Sequence, residues 1–236
     1  MRPLKHQPII IPCSAIFLIT SIAVCMIGLL GCASSKKSSA APAPRLSAEH
    51  RLLILPFKDM TVLYGPNGLI KCPVCDSYFT AGPVSKNATE FLTAQLIMNL
   101  ETVTSYRIEI QNRLFSGLAP DGRGGEKVLP EIDNLVLEGR ALKMNYLMTG
   151  YVYRFRERVG RGYSVQEPAS VAFSVHVIDT LNQRVMWTGI YEETQQPLSE
   201  NLFNLGTFIN RGGGWVKAEE LAGAAMKRLL GGFGQK

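Results

Sequence analysis

Apolar residues are distributed in two ways along this chain. An unbroken apolar run from Ile9 to Leu30 follows the basic residues Arg2 and Lys5, whereas from residue 51 onward apolar positions recur in shorter periodic blocks. The first block, Arg51-Leu52-Leu53-Ile54-Leu55-Pro56-Phe57, is continuous and suits a strand covered on both faces. Ala88, Leu92, Leu96 and Leu100, joined by Phe91, then fall on one stripe at helical spacing. That helix starts near Asn87, which can cap the first turn while Glu90 reaches back from three residues on. Tyr106 to Gln111 alternates strictly and predicts a half-buried strand. Pro130 suits the first turn of a second helix whose inward face is Ile132, Leu135, Val136 and Leu142. A third strand runs from Asn145 through Tyr153 toward Arg158, and Val171, Phe173, Val175 and Val177 line one face of a fourth. A turn at Leu181-Asn182-Gln183 leads into a fifth, Val185 to Thr194, so the last two form a hairpin. From Leu198 the pattern reads as helix, a loop at Gly212-Gly213-Gly214, and a final helix through Leu221, Ala225 and Leu229.

This β-α-β-α-β-β-β order predicts an α/β protein. Its single mixed sheet of about five strands carries helices packed on it and C-terminal helices beyond. Two segments interrupt the periodicity. Residues 58–86 form a long loop rich in Gly, Pro, Asp and Asn, a length without structure of its own that is uncommon and often functional. Gly117 to Gly125 breaks the chain a second time.

The amino terminus has a positive start, an apolar middle and a small residue at its end, the layout of a secretory signal peptide. Its ending, Leu29-Leu30-Gly31-Cys32, resembles the lipobox of bacterial lipoproteins, which implies that the Cys32 thiol receives a diacylglycerol and that the chain is cut before it. The competing reading is an uncleaved membrane anchor, since the run approaches the ~20 residues that span a bilayer. Pro12, Ser14, Thr20 and Ser21 weaken it. Residues 1–31 are thus expected to be a signal peptide, 32–49 a lipidated cysteine with a tether, and 50–236 a periplasmic α/β domain. The tether is small, polar and proline-bearing, with almost nothing to bury. In the lipoproteins that it resembles, Ala33 after the modified cysteine implies export to the outer membrane.

Removing residues 1–31 takes away Arg2 and Lys5, leaving 23 basic against 19 acidic residues and a formal charge of +4. That excess is mild and spread out, with no basic block interleaved with aromatics, which argues against nucleic acid as a partner.

The segments "LLILPF", "NATEFLTAQLIMNL", "ALKMNYLMTGYV" and "VAFSVHVIDTLNQRVMWTG" stand in an order that resembles the superfamily of the TolB amino-terminal domain, the curli-export lipoprotein CsgG and the penicillin-binding-protein activator LpoB. The resemblance covers roughly residues 50 to 195, most of a typical domain. It implies a binding or regulatory module for an envelope machine, with a subunit of a CsgG-like export apparatus as the alternative. The expected partners are the membrane through Cys32, an envelope protein that the sequence does not name, and further copies of the chain. The sequence departs from the family at two places: Leu181-Asn182-Gln183 replaces the usual Thr-Gly turn, and the cysteine-bearing loop is additional.

Cys72-Pro73-Val74-Cys75 is the sharpest local chemical signal. Three readings stand. An extracytoplasmic pair favours a structural disulfide. As half of a zinc ribbon it supplies two thiolates where a closed site needs four ligands, so metal would have to be shared between subunits. Redox chemistry fits poorly, because Asp76 is acidic and Gly82-Pro83 soon follows. No resident metal and no cofactor is expected, and no enzymatic activity. His50 ends the tether. His176 alternates with Val175 and Val177, so it points away from their face, toward solvent or a packed helix. Glu192-Glu193 reads as a solvated strand end. Trp187 is expected in the core, and Trp215, after three glycines, is the candidate partner contact.

The lipobox carries a test. One acyl chain holds a protein weakly on a bilayer and several hold it firmly, at ~0.8 kcal/mol per buried methylene. Cys32→Ser is therefore expected to abolish lipidation and correct processing, read by membrane fractionation and by the mass of the amino-terminal peptide. Unchanged cleavage after Gly31 with sedimentation in the outer membrane would contradict the lipoprotein reading.

Overall fold

In a computed structural model the described residues are 37–44, 51–103, 107–110, 131–161, 164–195 and 216–233. Eleven strands and four helices fall within them: β1 Lys37–Ala40, β2 Arg51–Ile54, β3 Lys58–Asp59, α1 Thr61–Tyr64, β4 Leu69–Lys71, β5 Tyr78–Thr80, α2 Ala88–Val103, β6 Arg107–Ile110, α3 Glu131–Ala141, β7 Tyr146–Arg156, β8 Val159–Arg161, β9 Ser164–Glu167, β10 Ser170–Asp179, β11 Arg184–Thr194 and α4 Ala218–Leu230. The main sheet runs β1-β11-β10-β7-β2-β6, with β3 also paired to β7. It is mixed. β2 lies parallel to β6 and β7, while β7, β10, β11 and β1 pair antiparallel in sequence. The α/β class and a large mixed sheet are therefore observed, together with a C-terminal helix; the sheet has seven strands where about five are expected, and two further hairpins, β4–β5 and β8–β9, stand apart from it.

The central strands are covered on both sides. On one face Leu52, Ile54, Val152, Val171, Phe173, Val175 and Val177 pack against Leu92, Leu96 and Leu100 of α2 and Leu221, Ala225 and Leu229 of α4. These are the stripes that the periodicity predicts. On the other face Leu53, Leu147, Tyr151, Tyr153 and Ile178 meet Leu135 and Val136 of α3 and a second group, Ile70, Cys72, Val74 and Phe79. That second group comes from residues 58–86. The expected loop is a structured insert, in which β4 and β5 form an antiparallel hairpin with Ile70 opposite Phe79, both facing the sheet. Its strands have three residues each, too short for alternation to stand out among the turn residues around them.

The turn after β10 is the one expected. Asp179 Oδ1 accepts from the backbone N–H of Leu181 and Asn182, and Gln183 adopts φ +54°. At the opposite edge, Lys37–Ala40 lies inside the stretch expected to be tether, yet it pairs with Gly189 to Glu192 of β11. Trp187, in the core as expected at 2 % exposure, donates its indole N–H to the carbonyl of Ala41 at 2.8 Å. The signal peptide, Cys32, His50, Gly117 to Leu129, the helix expected from Leu198 and Trp215 lie outside the described residues. Among the described residues no helix is long and apolar enough to cross a membrane.

Phe57, just beyond β2, lies flat on β7 where that strand has no side chain. A Cβ built on Gly150 would sit 2.3 Å from Phe57 Cζ, and Phe57 is itself held edge-on by Phe173 at 6.1 Å. Gly150→Ala is expected to cost about 1–3 kcal/mol by overpacking, read as a lower urea midpoint at unchanged slope. An unchanged midpoint would mean that Phe57 can move aside.

Candidate functional site

The site is built where the insert meets the sheet. Paired residues of β7 and β10 share a face, and the register sets His176 opposite Thr149 and Ser174 opposite Tyr151. A bulge between Ala172 and Phe173 adds a residue on β7, so that Tyr153 and Arg154 both turn toward the insert. His176 does point away from Val175 and Val177. It faces neither solvent nor a helix, because the β4–β5 hairpin covers it completely, leaving 0 % exposure.

Cys72 and Cys75 lie in the turn between β4 and β5. The Cys72 N–H donates to the carbonyl of Ser77 at 2.7 Å and the Asp76 N–H to the carbonyl of Cys72 at 3.2 Å. Asp76 adopts φ +58°, a left-handed conformation that Asp tolerates better than most residues. The tight turn buries Cys72 fully and leaves Cys75 half-buried. Both are free thiols in this structure.

Cys72 Sγ is 3.4 Å from His176 Nε2 and 3.8 Å from Ser174 Oγ. Ser174 Oγ is in turn 2.9 Å from His176 Nε2 and 3.1 Å from the Tyr153 hydroxyl. On the far side of the ring, His176 Nδ1 is 3.0 Å from Thr188 Oγ1. One donor atom each from Cys72, Cys75 and His176 lies within 4.8 Å of the other two. Hydrogen bonding from Cys75 holds the Cys72 thiol well below its ordinary range against the opposing effect of burial, with His176 and Tyr153 contributing. Its counterpart moves the other way: the bond to Cys72, then burial, pushes Cys75 far up, while the Ser77 hydroxyl and N–H oppose the rise. Burial and then the Cys72 charge push Tyr153 up as well. The two sulfurs are thus pushed in opposite directions by their mutual hydrogen bond, inside a ring of polar side chains.

This arrangement offers two thiol sulfurs and an imidazole nitrogen to a soft or borderline metal, or two sulfurs to each other. A nucleophile for protein disulfides would have to be reachable, and Cys72 is not. Sequence reasoning selected Cys72 and Cys75 and missed His176, whose apparent outward position on β10 is the insert's underside. Ile70 and Phe79, inward-facing to either side of the cysteines, were the available signal that residues 69–80 cover something.

Arg154 and Glu192 clamp the insert in place. Arg154 Nη1 donates to the carbonyl of Thr80, Glu192 Oε1 accepts from the Thr80 N–H at 3.3 Å, and the two side chains pair at 3.1 Å with exposures of 9 % and 14 %. Arg154 also donates to Ser170 Oγ. Phe79 stacks on Tyr153 beside them, ring centroids 4.0 Å apart. Glu192-Glu193 is therefore no solvated strand end: Glu192 is partly buried in the clamp, and Glu193, on the opposite face, is buried and accepts from the Tyr191 hydroxyl at 2.7 Å.

Comparison with family models gives no match, and neither does comparison with curated protein sequences. Among solved structures, the PelC dodecamer of Paraburkholderia phytofirmans is similar at a TM-score of 0.50 and 11% identity, over 86% of this chain and 99% of that one. A lipoprotein from Neisseria meningitidis (TM-score 0.37, 9% identity, 70% of this chain and 99% of that one) and the LpoB C-terminal domain of Salmonella enterica (0.35, 12%, 64% and 86%) also match. The likeness to PelC is one of fold.

Removing one partner of a buried ion pair leaves the other charge uncompensated. Glu192→Ala is expected to destabilise the protein by about 3–5 kcal/mol and Glu192→Gln by less. Amide exchange at Thr80 should quicken before global unfolding does, and equal protection in the variant would show that the clamp does not hold the hairpin.

Proposed function

We propose that the protein is a non-enzymatic binding module, held by a lipid at Cys32 on the periplasmic face of an outer membrane, that recruits or regulates a larger envelope machine. The observation that carries this reading is the outer surface of the insert. Val62, Leu63 and Tyr64 of α1 and Leu69 and Tyr78 of the hairpin are 58–80% exposed, five large apolar side chains within one insert. Five of the ten exposed large apolar side chains among the described residues fall in this one segment, and apolar exposure concentrated in one place favours a protein contact. Association of copies is part of the proposal, since PelC of Paraburkholderia builds this fold into a dodecamer.

The alternative, a membrane-crossing export subunit, finds no support in residues 154–161 and 164–169, which run from the end of the long strand β7. They complete β7 and form β8 and β9, of three and four residues, with Arg156 reaching toward Glu167 at 3.7 Å. A crossing strand needs ~9–11 residues with one apolar face.

A photo-reactive phenylalanine analogue placed at Tyr78 in cells is expected to capture a defined envelope protein or a second copy of the chain. The same analogue at Met98, exposed on α2 over the other face, should capture neither. Equal capture from both positions, or none from position 78, would contradict the assignment of this surface.

A further inference from the structure

We propose that Cys72, Cys75 and His176 are three ligands of one zinc(II) ion seated between the β4–β5 turn and β10, and that the ion fastens the insert to the sheet. This goes beyond the partner-binding reading and does not depend on it. Zinc bonds of ~2.3 Å to sulfur and ~2.0–2.1 Å to nitrogen put those atoms about 3.5 Å apart in a tetrahedral site. Cys72 Sγ and His176 Nε2 stand at 3.4 Å without rearrangement. With all three donor atoms within 4.8 Å, a rotation of the half-buried Cys75 side chain closes the remaining gap.

Charge selects the ion. Zinc(II) with two thiolates and an imidazole is neutral, the state that burial favours. Copper(I) on the same donors would leave a net negative charge where Cys72 and His176 have 0 % exposure. On loading, the thiol protons leave to solvent.

The surroundings fit a ligand set. The tautomer that donates Nδ1–H to Thr188 Oγ1 leaves the lone pair of His176 on Nε2, the atom that faces Cys72. For the fourth position there are Ser174 Oγ, beside both Cys72 and His176, and a water that Thr149 could bond. Thr149 Oγ1 is buried opposite His176 and has no hydrogen-bond partner among the described residues.

The test uses the full-length protein, extracted from membranes in detergent without reductant or added metal. The expected result is one zinc per chain, with both thiols resistant to alkylation until a chelator is added. Because His176 lies in the core, His176→Gln is paired with Cys75→Ser, a change at a half-buried turn residue. Each should lose most of the zinc, and after cobalt(II) loading each should show weakened thiolate-to-metal absorption. Thr188→Val should keep the ligands but bind zinc about 10–100-fold more weakly. A Cys72–Cys75 disulfide in the isolated protein, copper in place of zinc, free thiols that take up no zinc, or a folded Cys75→Ser that retains it would each overturn the proposal.

Discussion

Burial of β10 on both faces is the constraint from which the rest follows. All ten of its residues are buried, so the strand needs a cover on each side. One cover is ordinary, since Val171, Phe173, Val175 and Val177 meet the apolar stripes of α2 and α4. The other face carries Ser170, Ser174 and His176, which can be buried only if each finds a polar partner. The insert and the neighbouring strands supply them: Cys72 from the turn, Tyr153 and Arg154 from β7, Thr188 and Thr194 from β11.

That division explains what the sequence reveals. Where one side chain in two or one in four meets a large apolar partner, periodicity exposes the element, so α2, β10 and the β10–β11 turn are legible. β1 is not, because Lys37-Ser38-Ser39-Ala40 contributes backbone bonds and little apolar surface to the edge of β11. His176 has the alternation of an outward residue. What makes it inward is a contact with Cys72 across 104 residues, and no local pattern records a pairing that distant. The fold class is thus written in nearest-neighbour spacing, while the site arises from the meeting of two segments.

Three different interactions hold the insert. Stacking of Phe79 on Tyr153 is apolar and tolerant of small shifts. The Arg154–Glu192 pair is directional, fixing both backbone groups of Thr80, and its contribution is to position as much as to net stability. Lys58 and Tyr151 both reach Glu131 at the start of α3, which ties the beginning of the insert to the helix on the same face. The hairpin is therefore docked at its Thr80 side by charge and at its centre by aromatic packing, with the cysteine turn as its remaining end.

An isolated two-stranded hairpin is marginal in water, so β4 and β5 owe their order to what lies beneath them. Their outward residues, Leu69 and Tyr78, alternate with the inward Ile70 and Phe79, and Cys72 and Cys75 sit in the connecting turn. Because side chains on the two faces hang from the same short backbone, the inner contacts set the geometry in which the outer ones are presented. A change in the bonding of Cys72, whether to His176, to Cys75 or to a metal, acts on the free end of that backbone. The chemistry beneath the insert and the surface above it are thus mechanically linked through six strand residues and one turn.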